Sequence, residues 1–183
     1  MRNSSLILAL SACALALTAC GGGGSGSAME QRADESDYQY ASRLSMDDVN
    51  TAFQDACTAY YTQTNRDGQY GRMLPGIRAM GEAEYCACIV ENVGGASDQA
   101  MGTLSGMAER EGGDAAEAMA EVDTGEASSY MSKKTLLDGA EFLRETLAYE
   151  RSPDSAARPS MSAGILLNNA SDPCEARARD LAP

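Results

Sequence analysis

Ser45-Met46-Asp47-Asp48-Val49-Asn50-Thr51-Ala52-Phe53-Gln54-Asp55-Ala56-Cys57-Thr58-Ala59-Tyr60-Tyr61 decides the fold class. Ser45 with Asp48 three positions on has the form of a capping box, in which the first side chain and the third helical residue satisfy each other's free amides. Val49, Ala52, Phe53, Ala56, Cys57, Tyr60 and Tyr61 then recur at three-four spacing, which places them on one face of a helix. Asn65-Arg66-Asp67-Gly68 breaks the pattern.

The same period runs through the rest of the chain. A second helix is expected from Ile77 to Val93, burying Ile77, Met80, Tyr85, Ile89 and Val93, with Gly94-Gly95 as its stop. Ser97 is positioned to cap a third, with Met101, Leu104 and Met107 inward and Gly112-Gly113 at its end. A short helix from Ala115 to Val122 and a longer one from Ser128 to Glu150 follow, the latter carrying Leu136, Leu137, Ala140, Leu143 and Leu147. Ser152-Pro153 ends it, Pro153 to Pro159 reads as a linker, and a last segment near Ser162 to Asn169 leads to Asp172-Pro173-Cys174. No segment alternates as a strand does. The expectation is an all-α, disulfide-stapled bundle of about five or six helices over residues 45–183, after a flexible N-terminal tether.

The staple follows from the cysteines Cys57, Cys86, Cys88 and Cys174. On a helix, residues two apart point about 200° away from each other. Cys86 and Cys88 therefore cannot easily bridge, because a disulfide needs facing Cβ atoms near 4 Å apart. Each must pair with Cys57 or Cys174. The order is open. Periodicity slightly favours Cys57 with Cys86, since Cys86 shares a stripe with Ile89 and Val93. Loop entropy puts the two closures at about 3.5 and 4.5 kcal/mol, large against a total stability of about 5–15 kcal/mol. The layout of an early Cys, Tyr-Cys-x-Cys on the next helix and a late Cys is similar to that of small uncharacterised exported helical proteins of bacteria. That resemblance carries no activity.

The N-terminus bears Arg2, an uncharged Leu- and Ala-rich run from Leu6 to Leu17, and Leu17-Thr18-Ala19-Cys20. A run of about a dozen apolar residues is too short to span a bilayer, which takes about 20. Gly21-Gly22-Gly23-Gly24-Ser25-Gly26-Ser27 follows directly. Leu17-Thr18-Ala19-Cys20 resembles the lipobox of bacterial lipoproteins. The resemblance implies that residues 1–19 are a signal peptide, that Cys13 leaves with it, and that Cys20 becomes the acylated first residue. Two or more acyl chains hold a bilayer stably where one does not. It implies a membrane partnership through the lipid, and since an aspartate after the lipidated cysteine marks inner-membrane retention in the families it resembles, Gly21 leans toward the outer membrane. Residues 20–44 read as a tether reaching about 25–30 Å.

Composition bounds the chemistry. Of 183 residues, 27 are acidic and 14 basic, for a net charge of −13; loss of Arg2 with the signal makes it −14. An acidic chain without a basic patch argues against nucleic acid, whose binding is driven by Lys and Arg releasing counterions, and against anionic lipid on the folded body. The chain has no His, so nucleophilic catalysis with an imidazole base is excluded. Four thiols without His or a Cys-x-x-Cys knuckle make a poor zinc set. A calcium loop centred on Gly68 would need acids where Gln63 and Leu74 stand. Met101, Met107, Met119 and Met131 lack the close repeat of a copper site and suit gap filling in an Ala-rich core. Asn169-Ala170-Ser171 matches a glycosylation sequon, an accident in a bacterial lipoprotein. Glu117 with Glu121, and Glu141 with Glu145, read as solvated helix faces rather than a glycosidase pair.

Two functions of different class remain. The favoured one is a non-catalytic structural or interaction module, anchored in the envelope and facing the periplasm, with a protein partner and no cofactor. The other is a thiol/disulfide redox protein acting through Cys86-Ala87-Cys88, although the nearest charges there, Glu82, Glu84 and Glu91, would not activate a thiol.

Overall fold

The structure, a computed structural model, describes residues 29–67, 74–154 and 164–181. The signal segment, Cys20, the glycine tract and most of the Pro153–Pro159 linker lie outside them. Seven helices occur among the described residues: α1 Asp37–Arg43, α2 Met46–Asp67, α3 Leu74–Met80, α4 Glu82–Glu111, α5 Gly113–Ala120, α6 Thr124–Arg151 and α7 Gly164–Leu181. The protein is an all-α bundle stapled by two disulfides.

α2 lies along α6, and α4 packs on α2, α6 and α7. The stripe read from the sequence supplies the centre, since Val49, Phe53, Ala56 and Cys57 are buried and Tyr60 and Tyr61 partly so. α7 turns Ala170, Cys174 and Ala178 inward at four-residue spacing. These small side chains let it approach α3 and α4 closely. A Cβ on Gly139 of α6 would come within 3.0 Å of Phe53 and 3.1 Å of Leu167, so three helices close on that glycine.

Several boundaries follow the sequence. The Asp48 amide donates to Ser45 Oγ at 3.1 Å, and the Ser45 hydroxyl donates to the Asp48 carboxylate at 2.6 Å. Gly112, at φ 68°, ends α4 and turns the chain into α5. Asp123 caps α6 by accepting from the amides of Gly125 and Glu126, four residues or so ahead of the expected start.

Others differ. The expected second and third helices are redistributed: the chain breaks at Gly81, not at Gly94-Gly95. Gly81 adopts φ 96°, a conformation costly for residues with a Cβ, whereas Gly94 and Gly95 lie inside continuous α4. A glycine inside a helix costs about 1 kcal/mol relative to alanine. Burying one methionine returns about 1.5–3 kcal/mol, and carrying the helix straight through keeps Met101 buried. Ser97 is therefore no cap but a fully buried residue in mid-helix. Leu104 and Met107, expected inward, are about half exposed at 48 % and 49 %. The last helix is longer than expected and carries Pro173 within it.

The assignment of residues 20–44 to a tether also needs correction at its end. Asp37–Arg43 is helical, and Ala41 and Leu44 are buried. Ser36 and Gln39 form a full capping box, and Lys133 Nζ donates to the Leu44 carbonyl at 2.7 Å. α1 belongs to the body because it packs on α6.

Candidate functional site

All four cysteines of the body meet around the first turns of α4. Cys57 on α2 is bonded to Cys86, and Cys174 on α7 is bonded to Cys88. The two α4 sulfurs leave opposite sides of the helix, and of the two orders that this left open the pairing is the one that periodicity slightly favoured. Cys57, Cys86 and Cys174 are fully buried and Cys88 nearly so. The Asn92 amide lies 3.6 Å and 3.5 Å from the sulfurs of Cys88 and Cys174. Exchange within Cys86-Ala87-Cys88 would require two buried sulfurs, each tied to a different helix, to find one another. In this structure each is instead bonded to a different neighbouring helix.

An aromatic stack adjoins the first bridge. Tyr61 meets Tyr60 and Tyr85 edge to face, with centroids 5.2 Å and 5.1 Å apart. Burial pushes the Tyr85 phenol up to about 12 and that of Tyr61 further still. These phenols stay protonated at any ordinary pH and act as packing.

A cleft of about 590 Å³ lies between the segment leading into α1 and one face of α6. Lys134, Leu137, Asp138, Glu141, Arg144 and Glu145 of α6 line it at three-four spacing, opposite Tyr40 and Met29–Gln31. Lys134 Nζ is 3.0 Å from Asp138 and 3.6 Å from Asp37. Burial alone would lower its pKa, but those carboxylates outweigh it and hold the ammonium above its usual value. Arg144 donates to the Ala52 carbonyl at 3.2 Å. The cations of the cleft are thus already engaged in structure.

The entering segment is clamped to α1. Arg43 donates to both Glu35 oxygens at 2.8 Å and 2.9 Å and to the Glu30 carbonyl at 3.1 Å. The Tyr40 hydroxyl donates to the Met29 carbonyl. Sequence reasoning missed this clamp, although Ser36-Asp37-Tyr38-Gln39 has the capping-box form and could have revealed the helix.

The remaining candidates do not assemble. Met101, Met107, Met119 and Met131 are distributed over α4, α5 and α6, with Met101 buried and Met107 half exposed. Among the described residues no group of three or more His, Cys, Asp or Glu is placed to hold a metal ion. No described helix is long and apolar enough to cross a membrane. Glu117, Glu121, Glu141 and Glu145 are exposed, the last two on the cleft wall. No family model matches this chain, and neither a curated protein nor a solved structure matches it significantly.

Proposed function

We propose that the protein is a lipid-anchored lipoprotein of the bacterial cell envelope, with its helical body serving as a non-catalytic interaction module on the periplasmic side, at the outer membrane. The observation that carries this reading is Leu17-Thr18-Ala19-Cys20 running directly into a glycine tract. Two buried long-range disulfides support it, because such bridges persist in oxidising compartments. The acidic composition suits a body kept off anionic headgroups. An extended chain from Cys20 to Met29 reaches about 30 Å at most, so the anchor holds the bundle within one protein diameter of the bilayer.

The test is the single change Cys20→Ser in the full precursor. The protein is expected to move from the membrane fraction to the soluble periplasmic fraction. Retention of the variant in the membrane would sink the anchor.

A further inference from the structure

The distal part of α4 carries an apolar stripe that its own fold does not finish covering. At 100° per residue, Ser97, Met101, Leu104 and Ala108 fall within an arc of about 60° on the helix. Ser97, Met101 and Ala108 are buried, yet Leu104 on the same arc is 48 % exposed and Met107 beside it 49 %. α6 begins only at Thr124, and an opening of about 350 Å³ separates its first residues from Met101 and Ser105. Val122, in the connection from α5 to α6, is also open at 39 %.

The charge around this stripe is one-sided. Between Arg78 and Lys133 the sequence holds eleven acidic residues and one basic residue, Arg110. Glu111 lies about 20° round α4 from Leu104, and Glu111, Asp114, Glu117 and Glu121, from the end of α4 to the end of α5, are all exposed; none takes part in the ion pairs found among the described residues.

We propose that the α4–α5 lobe is a docking surface for a cationic amphipathic helix of a partner protein. This rests on the interaction-module reading and names the chemistry of the partner. Apolar residues of the incoming helix would cover Leu104, Met107 and Val122, the thioether adapting to their shape. Lys and Arg flanking that helix's apolar stripe would meet the carboxylates of Glu111, Asp114, Glu117 and Glu121, steering approach and setting specificity. A second copy of this chain would set the same acidic lobe against itself, and an anionic bilayer would be repelled likewise. Only a basic partner satisfies both the stripe and its rim.

The test uses residues 20–183 with Cys20→Ser, which keeps every described residue. The probe is a fluorescein-labelled 18-residue helix of Leu and Lys in amphipathic order, compared with its Leu/Glu counterpart. Saturable binding of the Leu/Lys helix, weakening as salt rises, is expected, with none by the Leu/Glu helix. Leu104→Gln with Met107→Gln, both at exposed positions, should weaken it at least about tenfold, as should Glu111→Gln with Glu117→Gln and Glu121→Gln. Circular dichroism checks that the variants stay folded. Binding unchanged in both variants overturns the surface, and so does self-association in the ultracentrifuge that Leu104→Gln with Met107→Gln abolishes. Neither result touches the anchor, which Cys20→Ser tests separately by fractionation.

Discussion

Gly76 of α3 lies so close to Ala178 of α7 that a Cβ on Gly76 would stand 2.2 Å from the Ala178 carbonyl oxygen. The obstacle is backbone, which cannot rotate aside. The pair fixes how α3 seats on α7, and Ile77 beside it is fully buried.

Gly76→Ala should therefore destabilise the fold by about 1–3 kcal/mol, the usual cost of overpacking. Gly94→Ala should do the opposite and stabilise by up to about 1 kcal/mol, because Gly94 is mid-helix with nothing within 4 Å of an added Cβ. Urea midpoints of the two variants check both signs. A neutral Gly76→Ala would mean that α3 moves freely on α7.

The bridges should contribute unequally. Cys88–Cys174 spans 86 residues and Cys57–Cys86 spans 29. In the chain-entropy account, removing the longer closure costs about 1 kcal/mol more than removing the shorter. Paired Cys→Ala variants compared by denaturant unfolding measure the difference, and peptide mapping without reduction identifies the linkages. Loss of Cys88–Cys174 should expose α7 to protease first. Equal costs would place the stabilisation in native packing rather than chain entropy.

The tyrosine stack should make the fold sensitive to alkali. Burial raises the Tyr61 and Tyr85 phenols, Tyr85 to about 12, above the ordinary value of 10. A group raised in the folded state contributes stability fully below its unfolded pKa and loses it as pH rises through the folded one. Stability should fall above about pH 10, with Tyr61 and Tyr85 ionising together with unfolding. Tyrosinate absorbance and circular dichroism followed in one titration decide this. All tyrosines ionising near 10 while the helices persist would contradict the packing.

The clamp on the entering segment should respond to acid. Hydrogen bonding to Arg43 outweighs the effect of burial on Glu35 and lowers its carboxyl from 4.5 to about 2. A depressed carboxyl stabilises above its unfolded pKa and loses that contribution as pH falls through the folded one, here between 4.5 and about 2. An NMR titration of the Glu35 side chain should show the low midpoint, and Arg43→Ala should return it toward 4.5. A normal midpoint in the unaltered protein would mean that the segment is not held.

Much of the fold was legible because amphipathic period is a local signal. The stripe from Val49 to Tyr61 predicted a helix and its buried face together. Asp123 and Ser36 show where legibility stopped. Both cap helices through the same elementary chemistry as Ser45, but around Ser36 the residues are too polar for the period to mark a helix. α1 is held by a tyrosine, a clamp and contact with α6, none of them visible along the chain. The candidate docking surface was illegible for the converse reason. Leu104 carries the period of a core residue, yet the fold leaves it about half exposed.

By itself the sequence determined the helical class, the inward face of α2 and the expectation that Cys86 and Cys88 each pair elsewhere, since these depend on residue type and on angles within one helix. Tertiary structure decided that Gly81 breaks the chain while Gly94 and Gly95 do not, that residues 37–43 join the body, and that Gly76 must be glycine. The reason is one of magnitude. A helix-breaking preference is worth about 1 kcal/mol per glycine, less than the burial of one large side chain, so packing between distant segments overrides it wherever a partner helix is within reach.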